Sequence, residues 1–133
     1  MTIATAYWCI LLVAVLPYIW TVVAKASGTQ GRFNNRDPRE WLAKQDNPRS
    51  RWANGAQLNS FETNPLFYAS VLMAQFAEMP GATIGLMAVI YAVARVAHGL
   101  LYISGMHLFR SLAWFIGMAS AFSLVVLAAK TIA

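Results

Sequence analysis

Apolar residues dominate four stretches of the chain, and polar or turn-forming residues separate them. The first stretch, residues 2–24, and the last, residues 111–129, contain no charged side chain. Residues 51–78 begin polar and become apolar in their second half, and residues 82–106 are apolar with a few polar interruptions. Because about 20 apolar residues cross the hydrocarbon core as a helix, the pattern predicts four membrane helices in a single domain over residues 1–133.

The connection between the first two predicted helices, residues 25–50, is polar and is interrupted by glycines and prolines. Within it, the sequence DPREWLAK predicts one short helix, with Asp37 as N-cap and Pro38 at the first helical position. Three arginines of this connection, Arg32, Arg36 and Arg39, have two interpretations. Either all three are solvated, or one of them folds back over the membrane mouth to hold an anion.

The composition indicates an integral membrane protein of the all-α class. Hydrophobic residues make up 59% of the chain and charged residues 11%, against roughly 25% charged residues in soluble domains. A cleavable signal peptide is the competing interpretation of the first apolar stretch. That stretch has no Lys or Arg before it and is longer than a signal-peptide core of about 7 to 15 residues, so we expect it to be retained.

The net charge of +5 is concentrated in one part of the chain. Seven of the ten basic residues lie between Lys25 and Arg51. Basic clusters stay on the cytoplasmic side of a membrane protein, and four spans place Arg110 on that same side and Lys130 opposite. We therefore expect a bacterial inner-membrane protein with both termini outside and the basic connection in the cytoplasm. This distribution accounts for the charge without a nucleic-acid partner.

The second predicted helix carries two stripes of polar side chains. At about 100° per residue they fall on opposite sides: Arg51, Asn54, Asn59, Glu62 and Ser70 on one, and Gln57, Asn64 and Gln75 on the other. Polar groups at membrane depth need partners. One stripe is therefore expected inside the protomer or its ligand site, and the other against a neighbouring subunit. The alternative is a surface helix with a solvated cytosolic start.

The third predicted helix carries Tyr91, Arg95, His98 and Tyr102 at positions i, i+4, i+7 and i+11, within about 60° of arc. An arginine at this depth requires a counter-charge or a polar cavity, and Glu62 is the only carboxylate expected at comparable depth. Two roles remain open for Arg95. It forms a structural ion pair with Glu62, or it contacts a ligand.

Cysteine and histidine chemistry contributes little to the expected function. The single Cys9 lies in the first apolar stretch, where a thiol resists ionisation. The two histidines are nine residues apart, with no cysteine or carboxylate beside them. We therefore expect neither a catalytic thiol nor a metal site.

Two sequence motifs resemble those of a known family. Residues 56–67, AQLNSFETNPLF, contain an Asn-x-x-Glu-x-x-Pro series, and residues 94–102, ARVAHGLLY, contain Arg-x-x-His-x-x-x-Tyr, followed by Arg110. Together they resemble the MAPEG family, the membrane-associated proteins in eicosanoid and glutathione metabolism. The second motif is similar to that of microsomal glutathione transferases.

The resemblance implies an assembly and a ligand. It implies a homotrimer of four-helix protomers, with glutathione as co-substrate in sites between subunits that open to the cytoplasm. Asn59 and Glu62 are then expected to hold the peptide, Glu62 by receiving its amino group. Arg95, His98 and Tyr102 correspond to the part of the site on the third helix.

The resemblance also assigns the catalytic residue. Arg110 corresponds to the arginine that stabilises the glutathione thiolate, although it is one residue closer to Tyr102 than in the microsomal transferases. Gly55 stands where the glutathione enzymes of the family usually carry an arginine, and Arg51, one turn earlier, is expected to reach the same anion. Thr63 stands where some members have a tyrosine.

These expectations lead to two hypotheses of different classes. The first is a membrane-embedded glutathione-dependent transferase or peroxidase acting on lipophilic electrophiles, with a lipid-soluble molecule entering from the bilayer. The alternative is a non-catalytic membrane subunit that binds lipid or stabilises a larger membrane complex. A small transporter has less support, because the pattern shows no pair of discontinuous helices.

Overall fold

The computed structural model describes all 133 residues. It contains five helices and no strand: α1 (Ile3–Ala26), α2 (Pro38–Ala43), α3 (Pro48–Phe76), α4 (Gly81–Ile103) and α5 (His107–Ile132). The expected all-α class is confirmed, with four long helices and one short helix.

Two long helices begin three or more residues before their predicted starts. α3 begins three residues before the predicted start, because the Asn47 side chain caps it by accepting the backbone N–H of Arg49 at 3.0 Å. α5 begins at His107 rather than at residue 111. The turn before it is short because Gly105 adopts a φ of 74°, a conformation that glycine adopts without steric cost.

The short helix α2 forms as predicted. The Asp37 side chain accepts the backbone N–H of Glu40 at 3.0 Å, and proline occupies the first turn. Trp41 and Leu42 are buried against Ala24 of α1 and against α3. α2 therefore anchors the polar connection where α1 ends and α3 begins.

α3 runs antiparallel to α1 over nearly the whole length of both helices. Three side-chain hydrogen bonds join them in reverse order along the chain: Ser50 to Ala24, Asn64 to Val13, and Tyr7 to Gln75. α3 therefore lies at the same depth as α1, beside it.

Three helices are long and apolar enough to cross a membrane by length and composition: α1, α4 and α5. α3 is absent from this set, although the pattern predicted a span there. Its 29 residues reach about 43 Å at 1.5 Å per residue, so length does not exclude it. Its polar residues lower its mean hydropathy.

The main core lies among the four long helices and is built largely from small residues. At its centre the rings of Phe67 and Tyr91 stack with centroids 4.0 Å apart. The Tyr91 hydroxyl donates to Asn64 Oδ1 at 3.2 Å. The amide of Asn64, predicted on the second polar stripe, is thus satisfied inside the protomer and does not face a neighbour.

Candidate functional site

A cleft of about 340 Å³ opens between α3, α4 and the first turns of α5. We call it the site cleft. Polar side chains form one part of its lining, and two aromatic side chains form another. The lining residues are Asn59, His98, Tyr102, Arg110, Ser111, Trp114 and Phe115.

Arg110 lies on the face of the Tyr102 ring. Its guanidinium carbon is 4.1 Å from the ring centroid, within the range of a cation–π interaction. The His98 ring meets Tyr102 edge-on, with centroids 5.6 Å apart. α4 thus presents His98 and Tyr102 one turn apart, and Tyr102 positions the arginine of α5.

Asn59 is oriented from behind the cleft by Arg95. One guanidinium nitrogen of Arg95 donates to Asn59 Oδ1 at 3.0 Å, and the other donates to Ser60 Oγ at 3.2 Å. Because the Asn59 oxygen accepts this bond, its amide N–H groups remain for a ligand. Arg95 therefore does not line the cleft but determines which polar atom Asn59 presents there.

The structural ion pair between Arg95 and Glu62 is not formed within the protomer. Arg95 is 2% exposed and its Nε has no hydrogen-bond partner, whereas Glu62 is exposed. The only ion pair in the structure joins Lys44 and Glu40. A buried guanidinium with no facing carboxylate makes the electrostatic potential of the neighbouring cleft more positive.

The structure places the seven predicted site residues in three groups. Asn59, His98, Tyr102 and Arg110 line the site cleft, and Arg95 contacts it through Asn59. Arg51 and Glu62 are both exposed on α3 and line neither this cleft nor the second one described below. No group of three or more His, Cys, Asp or Glu side chains is placed to hold a metal ion.

Three lining residues of α5 were missed by the sequence analysis: Ser111, Trp114 and Phe115. They lie one, four and five positions after Arg110, so at about 100° per residue the four residues span about 140° of the helix surface. That spacing was available in the sequence. However, the apolar pattern predicted the helix from residue 111, so Arg110 was expected in a turn and not on a helix face.

A second cleft, of about 430 Å³, lies between α1, α2 and α3. Its cations are Lys25 and Arg39, and no acidic residue lines it. Asn54 and Gln57 of α3 add two amides, and the buried Gln57 Oε1 has no hydrogen-bond partner. The second cleft is therefore positively charged, and one buried amide oxygen beside it has no hydrogen-bond partner in the protomer.

Comparison with known proteins identifies the family of this chain. No curated protein matches the chain. The model of the MAPEG family matches residues 5–130, a range that includes all of α2, α3 and α4 and almost all of α1 and α5. The chain therefore belongs to the MAPEG family.

Proposed function

We propose that the protein is a membrane-embedded glutathione-dependent transferase or peroxidase that acts on lipophilic electrophiles. The observation that carries this proposal is the position of Arg110. Its guanidinium lies on the Tyr102 ring in the site cleft. Asn59 lines the same cleft and accepts a hydrogen bond from the buried guanidinium of Arg95.

The charges of the cleft suit the chemistry of glutathione. Glutathione carries two carboxylates, an ammonium and a thiol, and its thiolate is the nucleophile. A guanidinium beside the sulfur lowers the thiol pKa by stabilising the anion. In the transferase reaction, the thiolate of Arg110-bound glutathione attacks the electrophilic carbon. A carbon–sulfur bond forms, and the leaving group departs with its electron pair.

The aromatic lining of the site cleft suits the second substrate. Trp114 and Phe115 lie one turn beyond Arg110 on α5, and their rings meet edge to face at 5.1 Å. The Phe115 side chain is 64% exposed. It offers an apolar surface next to the proposed thiolate, where a lipid-soluble electrophile can enter from the bilayer.

The proposed assembly is a homotrimer with sites between subunits. Glu62 is exposed on α3 of the protomer, and a carboxylate at membrane depth requires cover. We propose that the site cleft of one subunit faces the second cleft of its neighbour. Lys25 and Arg39 then attract the glutathione carboxylates, and Glu62 receives its amino group.

The proposed topology has four spans in the bacterial inner membrane. α3 lies beside α1 over nearly its whole length, so a bilayer crossed by α1 is crossed by α3 as well. The basic connection 25–50 then lies in the cytoplasm with the mouth of the site cleft, and both termini lie outside. Reporter fusions at residue 133 and within residues 29–36 test this orientation.

A non-catalytic membrane subunit that binds lipid or stabilises a larger complex is the second candidate. Two observations favour it: Gly55 replaces the expected arginine, and Glu62 lies outside the site cleft of the protomer. Purification from native membranes in mild detergent distinguishes the two. Foreign subunits in fixed stoichiometry support the second candidate, and a homotrimer alone counts against it.

Isothermal titration with glutathione tests the leading proposal. The purified oligomer should bind glutathione, and the ultraviolet absorbance of the bound thiolate should appear at a lower pH than in free glutathione. Arg110→Ala should weaken binding and abolish that shift. Lys130→Ala, at the far end of the same helix, is the control for charge. Absence of binding by the wild-type oligomer would exclude the proposal.

A further inference from the structure

The aromatic ring that positions Arg110 packs directly onto the backbone of α3 at a glycine. A Cβ atom built on Gly55 would lie 2.6 Å from the Tyr102 hydroxyl oxygen and 2.8 Å from the ring carbon that bears it. Real Cβ atoms essentially never approach other atoms below 3.0 Å. Tyr102 therefore occupies its position because residue 55 has no side chain.

The Tyr102 side chain connects Gly55 to the site cleft. Its hydroxyl end packs against Gly55, and the Arg110 guanidinium lies over its ring, 4.1 Å from the centroid. The His98 ring also packs edge-on against Tyr102. A side chain at residue 55 would move the ring away from α3 by on the order of 1 Å, and displacements of that size are enough to impair catalysis.

We propose that Gly55 is a positioning residue of the site: it allows Tyr102 to pack against α3 and thereby holds Arg110 over the cleft. The inference rests on the proposed function for the identity of the ligand, but not for the contact itself. It also gives a physical reason for glycine at this position. An arginine at residue 55 and Tyr102 in its present position are sterically incompatible.

Gly55→Ala is an informative variant because it should stabilise helix α3 while it displaces Tyr102 in the site. Alanine is the better helix former, and the nearest atoms belong to the end of one side chain, not to the backbone. Gly117→Ala is the matched control in α5. There a Cβ would meet its nearest atom, in Ala94, at 3.5 Å and the Tyr91 ring at 3.7 Å, which are ordinary contacts.

The first measurement needs no ligand. Fluorine NMR of protein labelled with 3-fluorotyrosine should give five resonances, one for each tyrosine, and Tyr102→Phe assigns the relevant one. Gly55→Ala and Arg110→Ala should each shift the Tyr102 resonance. Gly117→Ala should leave it in place and affect only that of Tyr91. A Tyr102 resonance unchanged by Gly55→Ala would overturn the proposal.

The second measurement follows glutathione. Gly55→Ala should lower kcat/KM for conjugation with glutathione by roughly 10- to 100-fold while the Tm stays the same or rises. In a Tyr102→Ala background, the same substitution should cause no further loss, because the ring that it displaces is gone. Additive losses in the double variant would overturn the proposal. A wild-type protein that binds no glutathione would refute the proposed function, and the fluorine shifts would still decide the role of Gly55.

Discussion

The two clefts on either side of α3 differ in how their polar groups are held. In the site cleft, Arg110 stacks on Tyr102, and Asn59 is oriented by Arg95. In the second cleft, two cations line a space without any carboxylate, and one buried amide oxygen has no partner. The protomer therefore organises one cleft by itself. In the second cleft, the protomer supplies no hydrogen-bond partner for the Gln57 oxygen and no carboxylate for the two cations.

This difference suggests a division of roles. Groups that are fixed before the ligand arrives stabilise developing or bound charge without having to reorganise. Charges at the rim of a site mainly attract a ligand and raise its rate of association. We therefore expect substitutions in the site cleft to reduce turnover as well as affinity, and substitutions in the second cleft to reduce affinity alone.

The largest effect is expected from Arg110→Ala in the site cleft. Loss of the guanidinium beside the sulfur should lower kcat/KM for conjugation by roughly 10²- to 10³-fold, as for the loss of one donor to a developing anion. Steady-state kinetics with a lipophilic electrophile measure it, and Lys130→Ala should behave like the wild type. If only KM changed, Arg110 would contribute to uniform binding, as expected for Lys25 and Arg39 of the second cleft.

A smaller effect is expected from Arg95→Met, which removes the group that orients Asn59. Affinity for glutathione should fall about tenfold, the equivalent of one hydrogen bond to a charged group. Asn59→Ala should produce a similar loss, and the double variant should be little worse than either single one. Independent losses in titration calorimetry would show that Arg95 acts on the ligand directly.

A still smaller effect is expected in the second cleft. Replacing Lys25 and Arg39 together by alanine should raise the KM for glutathione about three- to tenfold and leave kcat unchanged, because rim charges contribute uniform binding. The difference from the wild type should shrink as salt is added. A fall in kcat would contradict the distinction between the two clefts.

The smallest effect on activity is expected outside both clefts. Ser50→Ala removes the hydrogen bond from Ser50 to the Ala24 carbonyl, 2.7 Å long and buried between α3 and α1. It should lower the free energy of unfolding by about 1 kcal/mol without changing kcat or KM. Thermal unfolding in detergent, measured beside the kinetics, would reveal any coupling between this contact and the site.

Much of the fold followed from local patterns in the sequence. The apolar stretches predicted the four long helices, and Asp37 with Pro38 predicted the short one. Helical spacing alone placed Arg95, His98 and Tyr102 on one face of α4. Such predictions succeed because a helix fixes the relation between residues three and four apart, whichever partner covers the resulting face.

The partners of those faces were decided only by the tertiary structure. Glu62 was the expected counter-charge of Arg95 because it is the only carboxylate expected at that depth. In the structure, the Arg95 guanidinium donates to Asn59 and Ser60 instead. Glu62 lies three residues after Asn59, about 60° away around the helix, which is enough to leave it exposed.

The contact between Gly55 and Tyr102 shows the same limit. The sequence identified both residues, one as a departure from the family pattern and the other as part of a motif. Their packing depends on how closely α3 approaches α4, and that distance follows from the packing of the whole helix pair, including the stacked rings of Phe67 and Tyr91. Periodicity determined which side chains share a face; only the packing of the helices determined which of those faces meet.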